Sequence, residues 1–322
     1  MNTPLAQPSR TGPIFIVGAP RSGTTMLQYR LRNHPRISLP TGESHFIVSL
    51  YRAQGKYEDL AHPEGIRRIL LAMLAQNRSF LETDLHGLQF DVDALADELH
   101  AEGRHTLPAI ISGLFEKNAR GEGKVRWGDK TPYYVMHLPK LLEWFPDAQI
   151  VHLIRDGRDV ALSLFGRQHD FHVYNAHFAA EYWESYVERG RALGRALSPD
   201  QYLELRYEDL LVQPEDTMRQ LCTFLGEDYS EALFEVASTG GPASKTPLVH
   251  KPLQADNAGK WRSRMTASQV RAFEGVAGRT LREFGYELAT PAAPPSLPTK
   301  AAYRLHNKLL TAFWRRARKK RA

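Results

Sequence analysis

The chain has 322 residues, of which 42% are hydrophobic and 24% are charged, a composition that is typical of a globular protein and excludes a collagen, a long disordered chain and a small disulfide-stapled fold. The net charge of +6 is unevenly spread, because residues 300–322 hold nine Lys and Arg residues and no acid, which leaves residues 1–299 at −3. A basic surface for nucleic acid is therefore not expected on the body of the protein.

The predicted elements alternate between strands and helices. Residues 14–17 are a short apolar, β-branched run between Pro13 and Gly18, which is the pattern of a buried strand. The later predicted elements are a helix over 24–33, a mostly helical segment over about 45–125, strands over 149–154 and 202–205, a long helix over about 175–197 and a helix from Pro214. This order predicts a three-layer α/β fold, with a P-loop-type parallel sheet flanked by helices and a helical insertion at about 45–125. Ligands of such sheets bind at the carboxyl ends of the strands, so the loops after Val17 and Ile154 are the candidate sites.

The loop after the first strand has the frame of a phosphate-binding loop. Residues 18–25, GAPRSGTT, fit the pattern G-x-x-x-x-G-x-[ST] between a strand and a helix, where backbone N–H groups and the helix N-terminus bind anions. Thr24 replaces the lysine that follows the second glycine in nucleoside triphosphatases, which disfavours phosphoryl transfer from a magnesium nucleotide. Arg21 supplies a positive charge earlier in the loop. The alternative interpretation is an ordinary Gly/Pro turn with an exposed arginine.

A second charged motif, RDGRDVALS at residues 155–163, directly follows the second strand. Arg155 at the strand end and Ser163 two turns into the next helix are placed to converge on one phosphate. Alone, such a motif is commonly a solvated turn. Together with the first loop, it predicts two anion sites at one edge of the sheet.

Five motifs in this order resemble those of the sulfotransferases that use 3′-phosphoadenosine 5′-phosphosulfate as donor. The motifs are PRSGTT at 20–25, WGDKTP at 127–132, FPDA at 145–148, RDGRDVALS at 155–163 and RYEDL at 206–210. The resemblance spans about residues 13–264 and is closer to the bacterial and the Golgi tyrosylprotein enzymes than to the cytosolic hydroxysteroid type, which carries Lys in the first loop. The chain lacks the membrane anchor and the paired cysteines of the Golgi enzymes, so their secretory location and tyrosine acceptor are not implied.

The resemblance implies which residues bind this donor. The residues that match the loop for the 5′-phosphosulfate are Arg21, Ser22, Gly23, Thr24 and Thr25. Arg155 and Ser163 match the pair that holds the 3′-phosphate. Tyr207 corresponds to a tyrosine close to the adenosine, and Lys260 resembles a late lysine that returns over the phosphates.

The resemblance also implies catalytic roles for Glu43, Lys130 and Arg21. Glu43 falls where the relatives place a glutamate that takes the proton of the acceptor, while Lys130 and Arg21 would neutralise charge on the bridging and sulfuryl oxygens. Alternatively, Glu43 stabilises the first turn of the next helix, and His45 or His34 is the base. No metal is expected, because a phosphosulfate already carries a good leaving group and no clustered Cys/His signature occurs in the sequence.

The predicted function is therefore transfer of a sulfuryl group to a hydroxyl of a carbohydrate, lipid, peptide or small-molecule acceptor. A P-loop small-molecule kinase and a non-catalytic nucleotide- or anion-binding module are the alternatives. Cys222, the single cysteine, is expected in the core of a helix face. A single cysteine, the lack of a transmembrane run and the lack of a signal peptide predict a cytoplasmic location.

The predicted organisation has four parts: a flexible N-terminus at 1–12, the sulfotransferase domain at 13–288, a Pro-rich linker at 289–299 and a basic amphipathic tail at 300–322. The apolar residues that share one helical face of the tail are Leu305, Leu309, Ala312 and Phe313. Such a tail is expected either to lie on an anionic membrane or to be a solvated or partner-binding segment.

Overall fold

A computed structural model of the chain describes residues 12–57, 59–76, 88, 90–235 and 254–319. Within them, the strands are β1 Ile14–Gly18, β2 Ile37–Ser38, β3 Arg126–Lys130, β4 Gln149–Ile154 and β5 Tyr202–Arg206. They form one parallel sheet in the order β2-β3-β1-β4-β5. The predicted strands at 14–17, 149–154 and 202–205 correspond to β1, β4 and β5, whereas β2 and β3 were not predicted.

Helices cover both faces of this sheet. In the first half of the chain they are α1 Thr24–Leu31, α2 Phe46–Ala53, α3 Pro63–Gln76, α4 Val92–Ala101, α5 Leu107–Gly121 and α6 Leu138–Trp144. In the second half they are α7 Gly157–Phe165, α8 Gln168–Phe171, α9 Ala176–Gly194, α10 Tyr207–Val212, α11 Pro214–Leu225, α12 Trp261–Arg264, α13 Ala267–Glu283 and α14 Leu297–Lys319. Short 3-10 helices lie at Gln54–Lys56, Pro132–His137, Glu231–Phe234 and Ala255–Asn257.

The central strand β1 shows why the molecule has three layers. All five of its residues are buried, and successive side chains of a strand point to opposite faces. Phe15 and Val17 belong to a core shared with α2 to α6, whereas Ile14 and Ile16 belong to a core shared with α1, α10 and α11. The helices α2 to α5 lie between β2 and β3, at the predicted insertion. The predicted fold class is confirmed.

The register of the sheet brings the two predicted loops together. Val17 pairs with His152 and Gly18 pairs with Leu153, so β1 ends within one residue of the end of β4 at Ile154. On the other side of β1, Ile16 pairs with Lys130, the last residue of β3. The loop after β1, the loop after β4 and the end of β3 therefore emerge side by side at one edge of the sheet, as parallel strand order requires.

The C-terminal part of the chain packs against α13 and α9. The buried Glu274 of α13 accepts hydrogen bonds from the backbone N–H groups of Ala289 (3.0 Å) and Thr290 (2.8 Å), at the start of the predicted linker 289–299. The helix α14 begins at Leu297, three residues before the predicted tail. No helix among the described residues has the length and apolar composition needed to cross a bilayer.

Some predicted boundaries fall outside the described residues. Of the predicted flexible N-terminus at 1–12, only residue 12 is described, and residues 320–322 of the predicted tail are not described. Parts of the predicted insertion, at 58, 77–87 and 89, also lie outside the described ranges.

A buried arginine links the elements at the amino-terminal end of the sheet. Arg126 is 1% exposed, and its guanidinium donates hydrogen bonds to the carbonyl oxygens of Gly12 and Leu225 and to Gln149 Oε1. Its Nη1 also lies 3.4 Å from the buried carboxylate of Glu227. These contacts join β3, β4 and α11 through one side chain.

We predict that Arg126→Met lowers the free energy of unfolding by about 3 kcal/mol, because breaking a buried charged network leaves its partners unsatisfied. Denaturant unfolding monitored by circular dichroism measures this loss. The matched control is Arg219→Met, which removes an exposed arginine paired with Glu215 and should leave the unfolding midpoint where it is. Equal midpoints for the two variants would contradict the structural role of Arg126.

Candidate active site

The loop between β1 and α1 has a left-handed backbone at two positions. Arg21 has a φ of 74° and Gly23 has a φ of 94°. At Gly23 the absence of a side chain also leaves room for an aromatic ring, because a Cβ there would lie 2.4 Å from Cδ2 of Tyr207. A non-glycine residue such as Arg21 in this region indicates a conformation that the surrounding structure enforces. The loop is therefore held between α1 and the Tyr207 ring.

The start of α1 is arranged to receive an anion. Gly23 is the N-cap, Thr24 and Thr25 open the helix, and within the described residues no side chain caps it and no acid lies in its first turn. Ser22 is fully buried, but its hydroxyl has no hydrogen-bond partner in the described part of the chain. A buried hydroxyl without a partner is costly, so the loop fits a ligand that supplies one.

The loop after β4 contacts the first loop directly. Ser163, on α7, accepts a hydrogen bond from Nε of Arg21 at 2.9 Å. The guanidinium of Arg155 lies 4.4 Å from the centre of the Tyr207 ring, and its Nη1 is 3.5 Å from the carbonyl oxygen of Arg21. Its buried Nε has no partner among the described residues. The structure thus brings together Arg21, Ser163, Arg155 and Tyr207, which the sequence predicts to bind one donor.

A third segment approaches the same place from the far end of the chain. Nη2 of Arg155 donates to the carbonyl oxygen of Asn257 at 2.7 Å, and Nζ of Lys260 donates to Asn257 Oδ1 at 2.6 Å. The carboxylate of Asp159 accepts the backbone N–H groups of Gly259 and Trp261 at 2.7 and 2.8 Å. The second aspartate of the RDGRD motif therefore holds the turn that carries Lys260.

The other charged residues of this motif are structural. Arg158 is 1% exposed and donates to both carboxylate oxygens of Asp156 and to Glu274 at 2.6 Å. Its guanidinium also lies 3.6 Å from the centre of the Trp261 ring. Of the motif, only Arg155 and Ser163 reach the first loop, while the residues between them fix α7 against α12 and α13.

Glu43 and Lys130 form an ion pair at the same edge of the sheet. Nζ of Lys130, at the end of β3, donates to Glu43 Oε1 at 2.9 Å, and Nε2 of His45 lies 3.0 Å from Glu43 Oε2. Lys130 is buried, whereas the Glu43 side chain is 36% exposed and thus accessible to a second molecule. One carboxylate therefore contacts a buried cation on one side and a solvent-exposed imidazole on the other.

The pair keeps Glu43 ionised. Burial alone raises the pKa of Glu43, but the charge of Lys130 and the hydrogen bonds from His45 and Lys130 outweigh burial and lower this pKa to about 2. At neutral pH the carboxylate is therefore ionised. The charge of Lys130, and not exposure to solvent, keeps the partly buried Glu43 ionised.

Residues of β3 and the following turn hold the Glu43 loop in place. The backbone N–H of Ser44 donates to Thr131 Oγ1 at 3.0 Å, and that of Ile47 donates to the hydroxyl of Tyr134 at 3.1 Å. The Ser44 and Tyr134 hydroxyls are 2.8 Å apart. Burial raises the pKa of the neighbouring Asp129 to about 6, while the hydroxyls of Thr131 and Ser44 oppose the shift. The WGDKTP motif thus both supplies Lys130 and fixes the position of Glu43.

Arg21 links the two halves of the site electrostatically. Burial lowers the pKa of Arg21, and the charges of Arg167 and Arg155 lower it further, while the charge of Glu43 raises it. The charges of Arg155 and Arg167 both act on Arg21, and this positive field beside the first loop favours an anionic ligand. Arg167, the first residue after Gly166, was not predicted, because it lies outside every recognised motif.

A pair of tyrosines on α9 lies within electrostatic reach of the carboxylate of Glu43. The hydroxyls of Tyr182 and Tyr186, one turn apart on α9, are 3.4 Å from each other. Burial raises the pKa of each hydroxyl, and the charge of Glu43 contributes to both shifts. Their fourfold spacing is visible in the sequence, but only the fold shows that this face of α9 looks toward Glu43.

Two further predictions concern residues away from the site. His34 is buried, its Nδ1 accepts from the backbone N–H of Arg36 and its Nε2 lies 2.8 Å from the carbonyl oxygen of Asp228. Both ring nitrogens are thus engaged in local structure, which does not fit a catalytic base. Cys222 is buried on α11, and burial raises the pKa of its thiol to about 11, as a core position requires. Among the described residues, no cluster of His, Cys, Asp and Glu has the arrangement of a metal site.

Comparison with known proteins places this arrangement in a family. The model of the sulfotransferase family matches residues 13–231. A protein-tyrosine sulfotransferase of Drosophila melanogaster is 24% identical over 287 residues, 85% of this chain and 51% of that protein. An omega-hydroxy-beta-dihydromenaquinone-9 sulfotransferase of Mycobacterium tuberculosis is 26% identical over 254 residues, 66% of this chain and 62% of that protein. The chain spans about half the length of the Drosophila relative.

A solved structure has the same fold. The sulfotransferase domain from the curacin biosynthetic pathway superposes with a TM-score of 0.60 at 22% identity, over 86% of this chain and 99% of that domain. At this identity the match supports the architecture described above.

We predict that the pKa of Glu43 depends on Lys130. In Lys130→Met the cation is lost while the burial of Glu43 remains, so this pKa should rise by about one to three units. Carboxyl carbon-13 chemical shifts of selectively labelled protein, followed against pH, report the value directly.

The control for this titration is His45→Ala, which removes the smaller of the two stabilising partners and should raise the pKa less than Lys130→Met does. A Glu43 carboxyl that titrates near its ordinary value in the unaltered protein would contradict the ion pair.

Proposed function

The chain belongs to the sulfotransferase family, and on this premise we propose that it transfers a sulfuryl group from 3′-phosphoadenosine 5′-phosphosulfate to a hydroxyl of an acceptor. The observation that carries the proposal is the ion pair between Lys130 and Glu43, in which Nζ and Oε1 are 2.9 Å apart. Burial lowers the pKa of Arg21 in the neighbouring loop, whereas the charge of Glu43 raises it. A carboxylate paired with a buried lysine thus lies at the carboxyl edge of the sheet, within electrostatic reach of an arginine of the anion-binding loop.

The donor site is assigned to the residues that the first and second loops bring together. Its proposed 5′ side is the loop of Arg21, Ser22, Gly23, Thr24 and Thr25, and its proposed 3′ side is Arg155 with Ser163. Among the described residues, the hydroxyl of Ser22 and Nε of Arg155 have no hydrogen-bond partner. Two such groups fit a ligand with two anionic groups. Tyr207 offers an aromatic edge for the nucleoside, and Lys260 lies on the turn that Asp159 holds over Arg155.

When bound, the phosphosulfate would supply an activated sulfuryl group, so the protein contributes positioning and charge. Glu43, ionised at neutral pH, accepts the proton of the acceptor hydroxyl. Lys130 and Arg21 place positive charge where negative charge develops during transfer. His45, hydrogen-bonded to the outer oxygen of Glu43, orients the carboxylate.

The acceptor is proposed to approach along the tyrosine pair of α9. Besides burial, the charge of Glu43 contributes to the raised pKa of both Tyr182 and Tyr186, and this pair combines apolar ring surface with two hydroxyls. This combination suits a hydroxyl attached to an apolar or aromatic body. The relatives named above act on a protein tyrosine and on a menaquinone hydroxyl, which are both acceptors of this kind.

The proposal includes a location in the cytoplasm, with peripheral contact to a membrane through α14. A single cysteine, buried on α11, suits a reducing compartment. The basic composition of α14 supports the contact.

We predict that Glu43→Gln lowers turnover by about 10²- to 10⁴-fold, because the amide cannot accept the acceptor proton. Binding of 3′-phosphoadenosine 5′-phosphate should remain close to that of the unaltered protein, since Glu43 is not assigned to the donor site. Transfer of radiolabelled sulfate to a panel of phenols and primary alcohols measures turnover, and calorimetry measures binding.

The matched control is His45→Ala, which keeps the carboxylate and its contact with Lys130, and which should lower turnover far less than Glu43→Gln does. Loss of activity in His45→Ala with full activity in Glu43→Gln would transfer the role of base to the histidine. Full activity in both variants would contradict the proposed mechanism.

A further inference from the structure

The C-terminal helix α14 carries its apolar residues on the outside. Leu305, Leu309 and Phe313 recur every fourth residue, so they form one stripe along the helix. Their exposed fractions are 56%, 60% and 60%. A helix on the surface of a globular protein normally turns such a stripe toward the core, because burial of apolar surface stabilises the fold.

Contacts on the opposite face fix this orientation. Asn307 is 3% exposed, its Oδ1 accepts from the backbone N–H of Tyr174 and its Nδ2 donates to the carbonyl oxygen of His172, both at 2.8 Å. The Tyr303 ring stacks on that of His177 with centroids 5.1 Å apart. A buried amide with both ends satisfied and a stacked ring pair dock α14 through its polar side, which leaves the stripe facing outward.

The charges of α14 all have one sign. The helix contains no acid, and its basic residues are Lys300, Arg304, Lys308, Arg315, Arg316, Arg318 and Lys319. Lys308, Arg315 and Arg316 are exposed next to the apolar stripe. An apolar stripe bordered by cations is the pattern of a helix that lies in the headgroup region of an anionic bilayer.

We propose that the outward face of α14 binds an anionic lipid bilayer, with the side chains of Leu305, Leu309 and Phe313 inserted among the lipids and Lys308, Arg315 and Arg316 at the headgroups. This inference rests on the peripheral membrane contact included in the proposed function and names its lipid and its residues, but it does not depend on the chemistry proposed for the active site.

Charge argues against the two other occupants of this face. In a two-fold dimer the same surface meets itself, so the cations of one α14 would face those of the other. A nucleic acid would neutralise the cations but would leave the three apolar side chains without a partner. A bilayer of anionic lipids satisfies both the charge and the apolar stripe.

The docked helix lies close to the active site. The Trp314 ring of α14 is 4.2 Å from that of His169, centroid to centroid. Arg167, two residues before His169, is close enough to Arg21 to lower the pKa of that guanidinium. The side of α14 that carries Trp314 therefore packs beside α8 and turns away from the outward apolar stripe.

The experiment is co-sedimentation of the full chain with vesicles of phosphatidylcholine alone or with about 30% phosphatidylglycerol, a fraction that gives the surface a negative potential. The unaltered protein should bind the anionic vesicles, and the binding should weaken at high salt. The triple variant Leu305→Gln, Leu309→Gln, Phe313→Gln should lower the partition coefficient at least about tenfold. Since the docked face is untouched, the melting temperature should stay the same.

The matched control replaces exposed apolar residues elsewhere, Leu71→Gln, Val125→Gln and Val212→Gln, whose side chains lie on other surfaces of the protein. This variant should bind as the unaltered protein does. A second variant, Lys308→Gln, Arg315→Gln, Arg316→Gln, should lose most of the dependence on anionic lipid.

Three outcomes would overturn the proposal. The first is that the unaltered protein does not bind anionic vesicles, or that it binds them as well after the stripe is replaced. The second is a dimer in sedimentation velocity that the stripe variant abolishes, which would make a second copy the occupant. The third is displacement of the bound vesicles by short duplex DNA with no effect of the stripe variant, which would make the contact purely a polyanion site.

Discussion

The register between the parallel strands β1 and β4 is the constraint on which the rest of the site depends. Because Gly18 lies opposite Leu153, the two loops leave the sheet side by side, and Arg21 can donate to Ser163 across them. A shift of one residue between these strands would move one loop by about 3.3 Å relative to the other and turn the side chains of the shifted strand to the opposite face of the sheet. The third parallel neighbour, β3, ends at the same edge and delivers Lys130 to Glu43.

Buried charges around this edge are arranged in pairs. Within the RDGRDVALS motif, the paired residues support the structure, whereas Arg155 reaches the first loop. Arg158 is enclosed by Asp156, Glu274 and the Trp261 ring, so it stabilises the packing of α7 and contacts no residue of the first loop that is described. Asp159 holds the turn of Lys260 through two backbone N–H groups. Such paired burial rigidifies the frame and leaves Arg155 to face the site.

Strands with a simple hydrophobic pattern could be predicted from the sequence. A strand that carries charged residues of the site could not. The strands β1, β4 and β5 are apolar or alternating runs and were found, whereas β3 reads RWGDK and has no strand-like pattern. Its two basic residues are tolerated in a buried strand because Arg126 is satisfied by carbonyl oxygens and Lys130 by Glu43, and Gly128 is needed because a Cβ would lie 2.6 Å from the carbonyl oxygen of Ile14. Arg167 reaches the site through the fold alone and leaves no local signal in the sequence, whereas the spacing of Tyr182 and Tyr186 marks one face of α9 without showing what that face approaches.

Calorimetric titration with 3′-phosphoadenosine 5′-phosphate, beside ATP with magnesium, tests the central claim that one edge of the sheet holds two anionic groups. The account predicts a single site at which the bisphosphate binds at least about tenfold more tightly than magnesium ATP, with most of this affinity lost in Arg155→Ala and none lost in Arg219→Ala, which removes an exposed arginine. Preference for magnesium ATP, or binding of neither nucleotide, would contradict it.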